Sequence, residues 1–462
     1  MSEPIQTDEL KRAGSGLDVD QQLVTDISQL VQTAQPAMVM NIVADMYPAD
    51  LALLLRHLPA DEALQLFEWL PTEIASDVLP ELEPNLLGQL LEQTREHRVA
   101  TLLDELDTDD AVDILNELPA DVTWKLLPTL EDAGDLRDLL AYEEDTAGGI
   151  MGTELVAVPL GWNIAEATEE VRRHADLVEP VYSVFVIDDV QRLVGTVTLK
   201  KLLLTAASEP IEKVMETDII SVTPEMDQEE VARIMERYDL VSLAVVNEEG
   251  RLLGRITIDD VVDVIREEAE EDIQLMHGVS AGEEPTDNIF RISRGRLPWL
   301  LVGLFGAGMS GLVIGTFEES LEQAVVLAMF IPIVTAMGGN AAVQSAAIAV
   351  QGLSSGDFWP GDVIKRLSKE AFVAMLNGVV LALVVGVVVM LFGLGDIPRL
   401  ALTVALTMFT VILLATTNGA LVPFVLHRLG IDPASAMGPF VTTLNDIIGL
   451  TVYFLIASLL YL

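Results

Sequence analysis

The chain has no cysteine, only 5 histidines, and 26 lysines and arginines against 72 aspartates and glutamates in its 462 residues. Without cysteine there can be no disulfide and no thiolate metal site. His57, His97, His174, His277 and His427 include no two at ligand spacing on a common helix face, and no nucleophile motif accompanies them, so nothing points to an enzyme. No Walker motif, aspartyl-phosphate signature or phosphate-cradling loop enters the apolar segments, which counts against a primary pump. The scarcity of bases leaves a net charge of −46. Such a chain repels nucleic acid phosphates and favours cations as partners, although a solubilising surface explains the same excess. The start, MSEPIQTDELKRAGSG, lacks the basic and apolar regions of a secretory signal, so the N-terminus is expected in the cytoplasm.

Long apolar runs are what the chain does have. Mean hydropathy is +0.42 with 51% hydrophobic residues, too apolar for an ordinary soluble protein. Residues 297–462 hold 9 acids and 5 bases, leaving 63 acids and 21 bases to residues 1–296. The second part supplies five segments long enough to span a bilayer, at 297–316, 323–350, 371–394, 400–426 and 436–462. Arg291, Arg294 and Arg296 precede the first, Lys365, Arg366 and Lys369 separate the second from the third, and Arg428 separates the fourth from the fifth. Only Arg399 falls on the other side, so the positive-inside rule puts the N-terminal part in the cytoplasm and the C-terminus outside.

The soluble part divides by pattern. Residues 1–30 read as a polar mobile tail. Residues 31–145 alternate short apolar-periodic helices with Pro-Asp turns, as in MYPADLALLLRHLPADEALQLFEWLP, and predict an acidic superhelical domain. Pro48, Pro59, Pro71, Pro119 and Pro128 break these helices, and Asp or Thr is expected to cap them. Two β-rich units follow, at 146–208 and 209–265, each reading strand, turn, Leu-(Leu/Val)-Gly strand, helix: SVFVIDDVQRLVGTVTLKKLL in the first and LVSLAVVNEEGRLLGRITIDDVVDVI in the second. The pair resembles a tandem CBS domain. In that family the nucleotide-binding copies carry a Gly, a Ser/Thr three residues on and an Asp three further. Gly254, Thr257 and Asp260 fit, implying a regulatory adenine nucleotide such as ATP, whereas the first unit has Gly195 and Thr198 but Lys201 in the acid's place.

A helix is expected from Asp259 through about Met276, continuing in a connecting segment that occupies 266–296. Asp259, Asp263, Glu267 and Glu271 step by four along one face with Glu268 beside them, and like charges at that spacing destabilise a helix by a few tenths of a kcal/mol per pair. Divalent cations bridging this face to another acidic surface would remove the strain, and LLDELDTDDAVDIL offers Asp104, Asp107, Asp109 and Asp110. The alternative is that these are caps and solvated surface acids, Asp107 and Asp109 being the expected caps.

Within the spans polar groups are few. The last span holds one acid, Asp446, and a lone mid-membrane carboxylate is unfavourable by roughly 2.5–3.5 kcal/mol on insertion scales, so it is expected to face a partner or water. Thr442, Gly449 and Tyr453 share its face, with Thr443 and Asn445 beside it. In the second span Gly338 and Gly339 admit a close helix, and Asn340 and Gln344 share a face. Gly303, Gly306, Gly308, Gly311 and Gly315 are read as packing glycines of the first span.

Taken in order, the acidic helical domain, the CBS pair, the charged connecting helix, RLPWLL, PIVTAMGGNAAVQS and GPFVTTLNDIIGL resemble the MgtE family of bacterial magnesium channels, over about residues 32–462. The resemblance implies a multi-domain membrane protein: a helical superhelical N-domain, an α/β CBS pair, a plug helix and a five-helix all-α transmembrane domain. It implies a homodimer in the bacterial cytoplasmic membrane whose ion path uses Asp446, with Asn340, Thr442, Thr443, Asn445, Gly338 and Gly339 around it. Mg²⁺ bound among the N-domain, CBS and plug-helix acids would close the path when cytosolic Mg²⁺ is high. Two alternatives stay open: a channel for Co²⁺, Mn²⁺ or Ca²⁺, and a membrane-anchored nucleotide sensor whose spans are only an anchor.

Overall fold

Prolines set the rhythm of the first part of the chain. In the computed structural model, which describes residues 19–175, 178, 180–283, 288–355, 363–393 and 396–462, ten short helices run between Gln21 and Leu139. Pro36, Pro48 and Pro84 stand at the first helical turn, and Pro59, Pro71 and Pro119 at the N-cap, where the missing N–H is not needed. None of these six starts has the side-chain cap expected from Asp or Thr, because proline's fixed φ already sets the entry. The tail is also shorter than its expected bound of residue 30. Residues 1–18 lie outside the described residues, but a helix capped by Asp20 covers Gln21–Gln32 and buries Ile27 and Val31.

By their contacts the residues form two units, 1–264 and 265–462. In the first unit, each CBS half is a three-stranded sheet with the same order: β1 (Ala157–Pro159), β2 (Ser183–Ile187) and β3 (Leu193–Thr198), then β4 (Ser221–Val222), β5 (Ser242–Val246) and β6 (Leu252–Thr257). In each sheet the first pair is parallel and the second antiparallel, and both sheets carry a register shift at the same place, at Val186/Ile187 and Val245/Val246. The first half has its own apolar core around Val158, Val184 and Val197. The second half instead shares one core with the helical domain, joining Leu103 and Ile114 to Val245, Ile256 and Val261 through Ala147 and Met151 of the connecting stretch.

A helix covers Ile258–Met276 and ends at His277–Gly278, where Gly278 and Gly282 take positive φ. The segment expected to reach residue 296 as one helix is therefore broken, and residues 284–287 of it lie outside the described residues. Arg291, Arg294 and Arg296 belong to the next helix, Ile289–Thr316, which is also the first span. Glu283 pairs with Arg296, and Ser280 Oγ donates to Gly295 O at 3.0 Å, folding the turn back on that helix.

The other spans are Val325–Ser354, Val363–Phe392, Ile397–Arg428 and Thr442–Leu460. The second opens with a 3₁₀ stretch, Val325–Phe330, before its α-helix from Ile331. The third starts two turns earlier than expected, so Lys365, Arg366 and Lys369 lie on the helix rather than in a loop; their long stems can reach a membrane interface from there. Leu394, its expected end, lies outside the described residues. The fifth is preceded by a single π turn, Met437–Val441, and its α-helix begins at Thr442 rather than Ala436. The second, third and fifth spans pack along the fourth, which is the most buried of the five.

Candidate functional site

The second and fifth spans border an open-sided cavity of about 450 Å³ lined by Thr335, Ala336, Gly339, Asn340, Val343, Gln344, Thr442 and Asp446. Helical spacing brings them together: Thr442 and Asp446 are one turn apart, as are Thr335, Gly339 and Asn340, then Gln344. Gly339 opens the wall, since a Cβ there meets nothing within 4 Å. Gly338 faces the other way, and a Cβ on it would stand 3.1 Å from Val411 of the fourth span. Asp446 is the only ionisable side chain in the lining, and among the described residues no cation pairs with it.

Two residues expected beside Asp446 are turned from the cavity. Thr443 packs on Gly306 of the first span, leaving no room for a Cβ there, and Asn445 is 3% exposed with its Nδ2 donating to Val441 O at 2.7 Å. Tyr453 is fully buried and donates to Leu327 O at 2.7 Å, so this ring braces the 3₁₀ entry of the second span rather than the cavity. Of the five glycines read as packing positions, only Gly306 has a neighbour within 4 Å in the chain; Gly303, Gly308, Gly311 and Gly315 face open space.

Elsewhere in the same unit lies a contact of which the residue order carries no sign. Asp272, on the helix after β6, accepts from Ser354 Oγ at 3.1 Å; burial raises its carboxyl, the Ser354 hydrogen bond opposes this, and the Asp432 charge adds a smaller upward push. Asp432 is itself held by the N–H groups of Ala434 and Ser435, both at 3.0 Å. Leu275 and Met276 pack here on Ala346, Val350, Ala434 and Met437.

The regulatory acids separate into groups. Asp107 is the N-cap residue of the helix Thr108–Glu117, but its side chain makes no cap bond; Glu154 from the connecting stretch accepts from Thr108 N and Thr108 Oγ1, both at 3.0 Å, and takes that role. Asp109 caps nothing beyond its neighbour Asp110 N at 3.0 Å. Released from capping, these acids gather near Asp259 and Asp260 at the end of β6. Desolvation, then Glu154, pushes Asp107 up to about 6; desolvation, then Asp113 and Asp260, pushes Asp110 up to about 7. Desolvation and Asp260 hold Asp109 well above the carboxylate range. Asp104 is apart from this group and binds Glu131 N at 2.9 Å. Asp263, Glu267 and Glu271 lie exposed on the helix Ile258–Met276, with Glu268 half-buried. Among the described residues no three acids or histidines converge tightly enough to hold a bare ion. A hydrated ion, reached through its own waters, tolerates the wider spacing.

The residues expected to hold a nucleotide are engaged with the chain itself. Asp260 Oδ2 accepts from Thr257 N at 3.0 Å and from Thr257 Oγ1 at 2.8 Å. Gly254 is covered by the connecting stretch, where Gly152 and Arg255 exchange backbone hydrogen bonds at 2.9 Å; a Cβ on Gly254 would stand 2.7 Å from Gly152 O.

Known proteins share this arrangement part by part. Residues 46–145 match the MgtE intracellular N domain, 147–207 and 211–267 match CBS domains, and 331–456 match the family described as divalent cation transporter. The chain is similar to the magnesium transporter MgtE of Bacillus subtilis, with 31% identity over 90% of this chain and 93% of the relative. It is 35% identical to that of Thermus thermophilus over 71% of this chain and 72% of the relative. A solved structure of the cytosolic domain of the Mg²⁺ channel MgtE in complex with ATP covers 52% of this chain and 99% of its own, at 32% identity and a TM-score of 0.50. The soluble part of a magnesium transporter covers 54% of this chain at 29% identity and a TM-score of 0.50. With the helical N-domain, the CBS pair and five apolar helices in the family's order, this chain belongs to the MgtE family of magnesium transporters, multi-pass membrane proteins that are not enzymes.

Proposed function

We propose that the chain is a channel for passive Mg²⁺ uptake, closed by Mg²⁺ on its cytosolic acids. The observation that carries this reading is Asp446, the one charge on a cavity whose other lining is the neutral polar groups of Thr335, Asn340, Gln344 and Thr442 together with Ala336, Gly339 and Val343, and with no cation partner among the described residues. Mg²⁺ dehydrates reluctantly, and such a lining suits a hydrated ion: one carboxylate attracts it while Asn340, Gln344 and Thr442 bond its waters. No energy input beyond the membrane potential is needed, since about 2.3 kcal/mol per charge per 100 mV acts on a divalent ion twice over. The basic residues orient residues 1–264 to the cytoplasm and the C-terminus outward. The functional unit is a homodimer with Asp446 from each subunit on the path.

Closure follows from repulsion and its relief. With little Mg²⁺, the charges of Asp107, Asp109, Asp110, Asp259 and Asp260 oppose their own close placement. Bound Mg²⁺ removes that opposition, and Asp263, Glu267, Glu268 and Glu271 extend the acidic face along the helix. An ion biases gating only through its different affinity for the two states. Asp104, tied to Glu131, is left out of this set. ATP at Gly254, Thr257 and Asp260 requires Asp260 to exchange its bonds to Thr257 for a ribose, which makes nucleotide and the compact acidic cluster competitors for one carboxylate.

The test is flux into proteoliposomes with internal Mg²⁺ varied from micromolar to about ten millimolar, repeated with Mn²⁺, Co²⁺ and Ca²⁺. Mg²⁺ flux that falls as internal Mg²⁺ rises, and is lost in Asp446→Ala, is the expected result. Transport of the other ions without Mg²⁺, or flux undiminished in Asp446→Ala, overturns the reading.

A further inference from the structure

The third span carries an acid that, unlike Asp446, is buried. Glu370 is 7% exposed and lies on the helix's buried stripe with Ala374 and Gly378, at four-residue steps. The stripe closes on the fourth span, where a Cβ on Gly378 would stand 3.1 Å from the Phe409 ring. An apolar residue is the default at such a place, so a carboxylate there needs a reason. Both of its oxygens are used. Oε1 lies 2.8 Å from Arg366 Nη2, one turn earlier on the same helix, and Oε2 accepts from Ser345 Oγ of the second span at 2.9 Å. The second and third spans each pack along the fourth, and this hydrogen bond joins them directly.

The second span needs such a tie. Six of the eight buried positions of its α-helix are small, Gly338, Ala342, Ser345, Ala346, Ala349 and Gly352, the other two being Val334 and Val350. Small residues allow helices to approach closely but leave a smooth surface on which rotation is weakly specified. Rotation matters because Gln344, the neighbour of Ser345, lines the cavity. With side chains reaching roughly 6 Å from a helix axis, a turn of about 20° moves such a tip by roughly 2 Å. Buried ionic groups add little net stability but can fix a unique register.

We propose that Arg366, Glu370 and Ser345 form a positioning cluster for the ion path, locking the second span in the rotation that presents Gln344 and Asn340 to the cavity. This rests on the channel reading above for its consequence, though its geometry can be tested without conduction. Because the chain has no cysteine, Gln344→Cys introduces a lone thiol on the cavity wall. The rate at which a cationic, water-soluble methanethiosulfonate modifies it, in the full-length protein in liposomes, reads the rotation of the second span.

Adding Ser345→Ala or Glu370→Gln is expected to slow modification at least fivefold. Exchanging the pair, Arg366→Glu with Glu370→Arg, keeps an ion pair and lets the moved guanidinium donate to Ser345 Oγ; it should bring the rate back to within twofold of Gln344→Cys alone. In the cysteine-free background, Ser345→Ala should lower Mg²⁺ flux severalfold. Should Glu370→Gln fail to fold, Ser345→Ala leaves the ion pair in place and carries the test. Unchanged modification rates in Ser345→Ala overturn the cluster's role even in a chain that conducts. Absent flux in the parent chain, with slowed modification in the variants, instead overturns the channel reading and leaves the positioning tie standing.

Discussion

Lys201 Nζ of the first CBS unit and Glu216 Oε1 of the second pair at 2.7 Å, at a place whose counterpart sets Asp260 of the second unit against Gly152 of the first. Aligning VMETDII with IMGTELV puts Gly152 where Glu216 stands and Asp260 where Lys201 stands. The second unit has thus lost the cation of the bridge, and the space left by the missing side chain admits Asp109 of the helical domain, whose Oδ2 would lie 3.0 Å from a Cβ on Gly152. If that site takes Mg²⁺, a fixed cation should imitate the ion. Asp260→Lys is expected to give low flux even without internal Mg²⁺, while Asp260→Asn, which keeps an acceptor for Thr257, raises the internal Mg²⁺ needed for half-inhibition severalfold. Proteoliposome flux across an internal Mg²⁺ series checks both, and two variants that shift inhibition in the same direction contradict the placement.

The same acids set a pH dependence. Their folded pKa values lie above the ordinary 3.8, at about 6 for Asp107 and about 7 for Asp110, with Asp109 and Asp260 also raised. The folded state therefore holds more protons than the unfolded chain between about pH 4 and 7, and in chelator its stability falls as pH rises through that window. If Mg²⁺ binds at these acids, it has to displace those protons. Calorimetric titration of Mg²⁺ into the protein in two buffers of different ionisation enthalpy should show proton release near pH 6.5 and little at pH 8.5, with apparent affinity rising between them. Equal heats in both buffers at pH 6.5 would place the ion elsewhere.

What could be read from residue order alone was whatever depends on period and composition. Five apolar runs, two Leu-(Leu/Val)-Gly strands and one acid in the last span are local signals, and each corresponds to an element or a cavity residue. Neighbourhood on a helix was read too generously: successive residues are about 100° apart, so Thr443 and Asn445 fall outside the wall that Asp446 faces. Contacts between distant residues had no sequence signal. Ser354 with Asp272, Ser345 with Glu370, and Thr108 with Glu154 each depend on how separate helices or segments meet. The last of these is why Asp107 looked like a cap, since the residue type fits the position and only the fold supplies a competitor.

Tyr453 provides a test of how the entry of the second span is held. Its hydroxyl donates to Leu327 O within the 3₁₀ stretch that opens the second span, and its ring packs against Phe454. Tyr453→Phe keeps the ring and removes this hydrogen bond between the fifth and second spans, a net loss of about 0.5–1.5 kcal/mol. The expected outcome is a thermal midpoint in detergent lowered by several degrees, with Mg²⁺ flux reduced but still abolished by Asp446→Ala. An unchanged midpoint would mean that water replaces the hydroxyl at no loss.

Gly419 marks a close approach of the fourth span to the backbone of the second, and it contrasts with the glycines of the first span that face open space. A Cβ at Gly419 would fall within 2.8 Å of Ala342 Cα and nearer still to its carbonyl oxygen, and backbone atoms cannot swing aside as a side chain can. Ala342 lies two residues from both Asn340 and Gln344, so separating the helices here distorts the cavity wall itself. At Gly303 a Cβ meets nothing within 4 Å of the chain, and alanine there improves helix propensity by about 1 kcal/mol. Gly419→Ala is therefore expected to lose several degrees of thermal midpoint and most Mg²⁺ flux, while Gly303→Ala keeps the midpoint within about a degree or raises it. Loss of folding in Gly303→Ala instead would place another helix, from a second copy of the chain, against that open face of the first span.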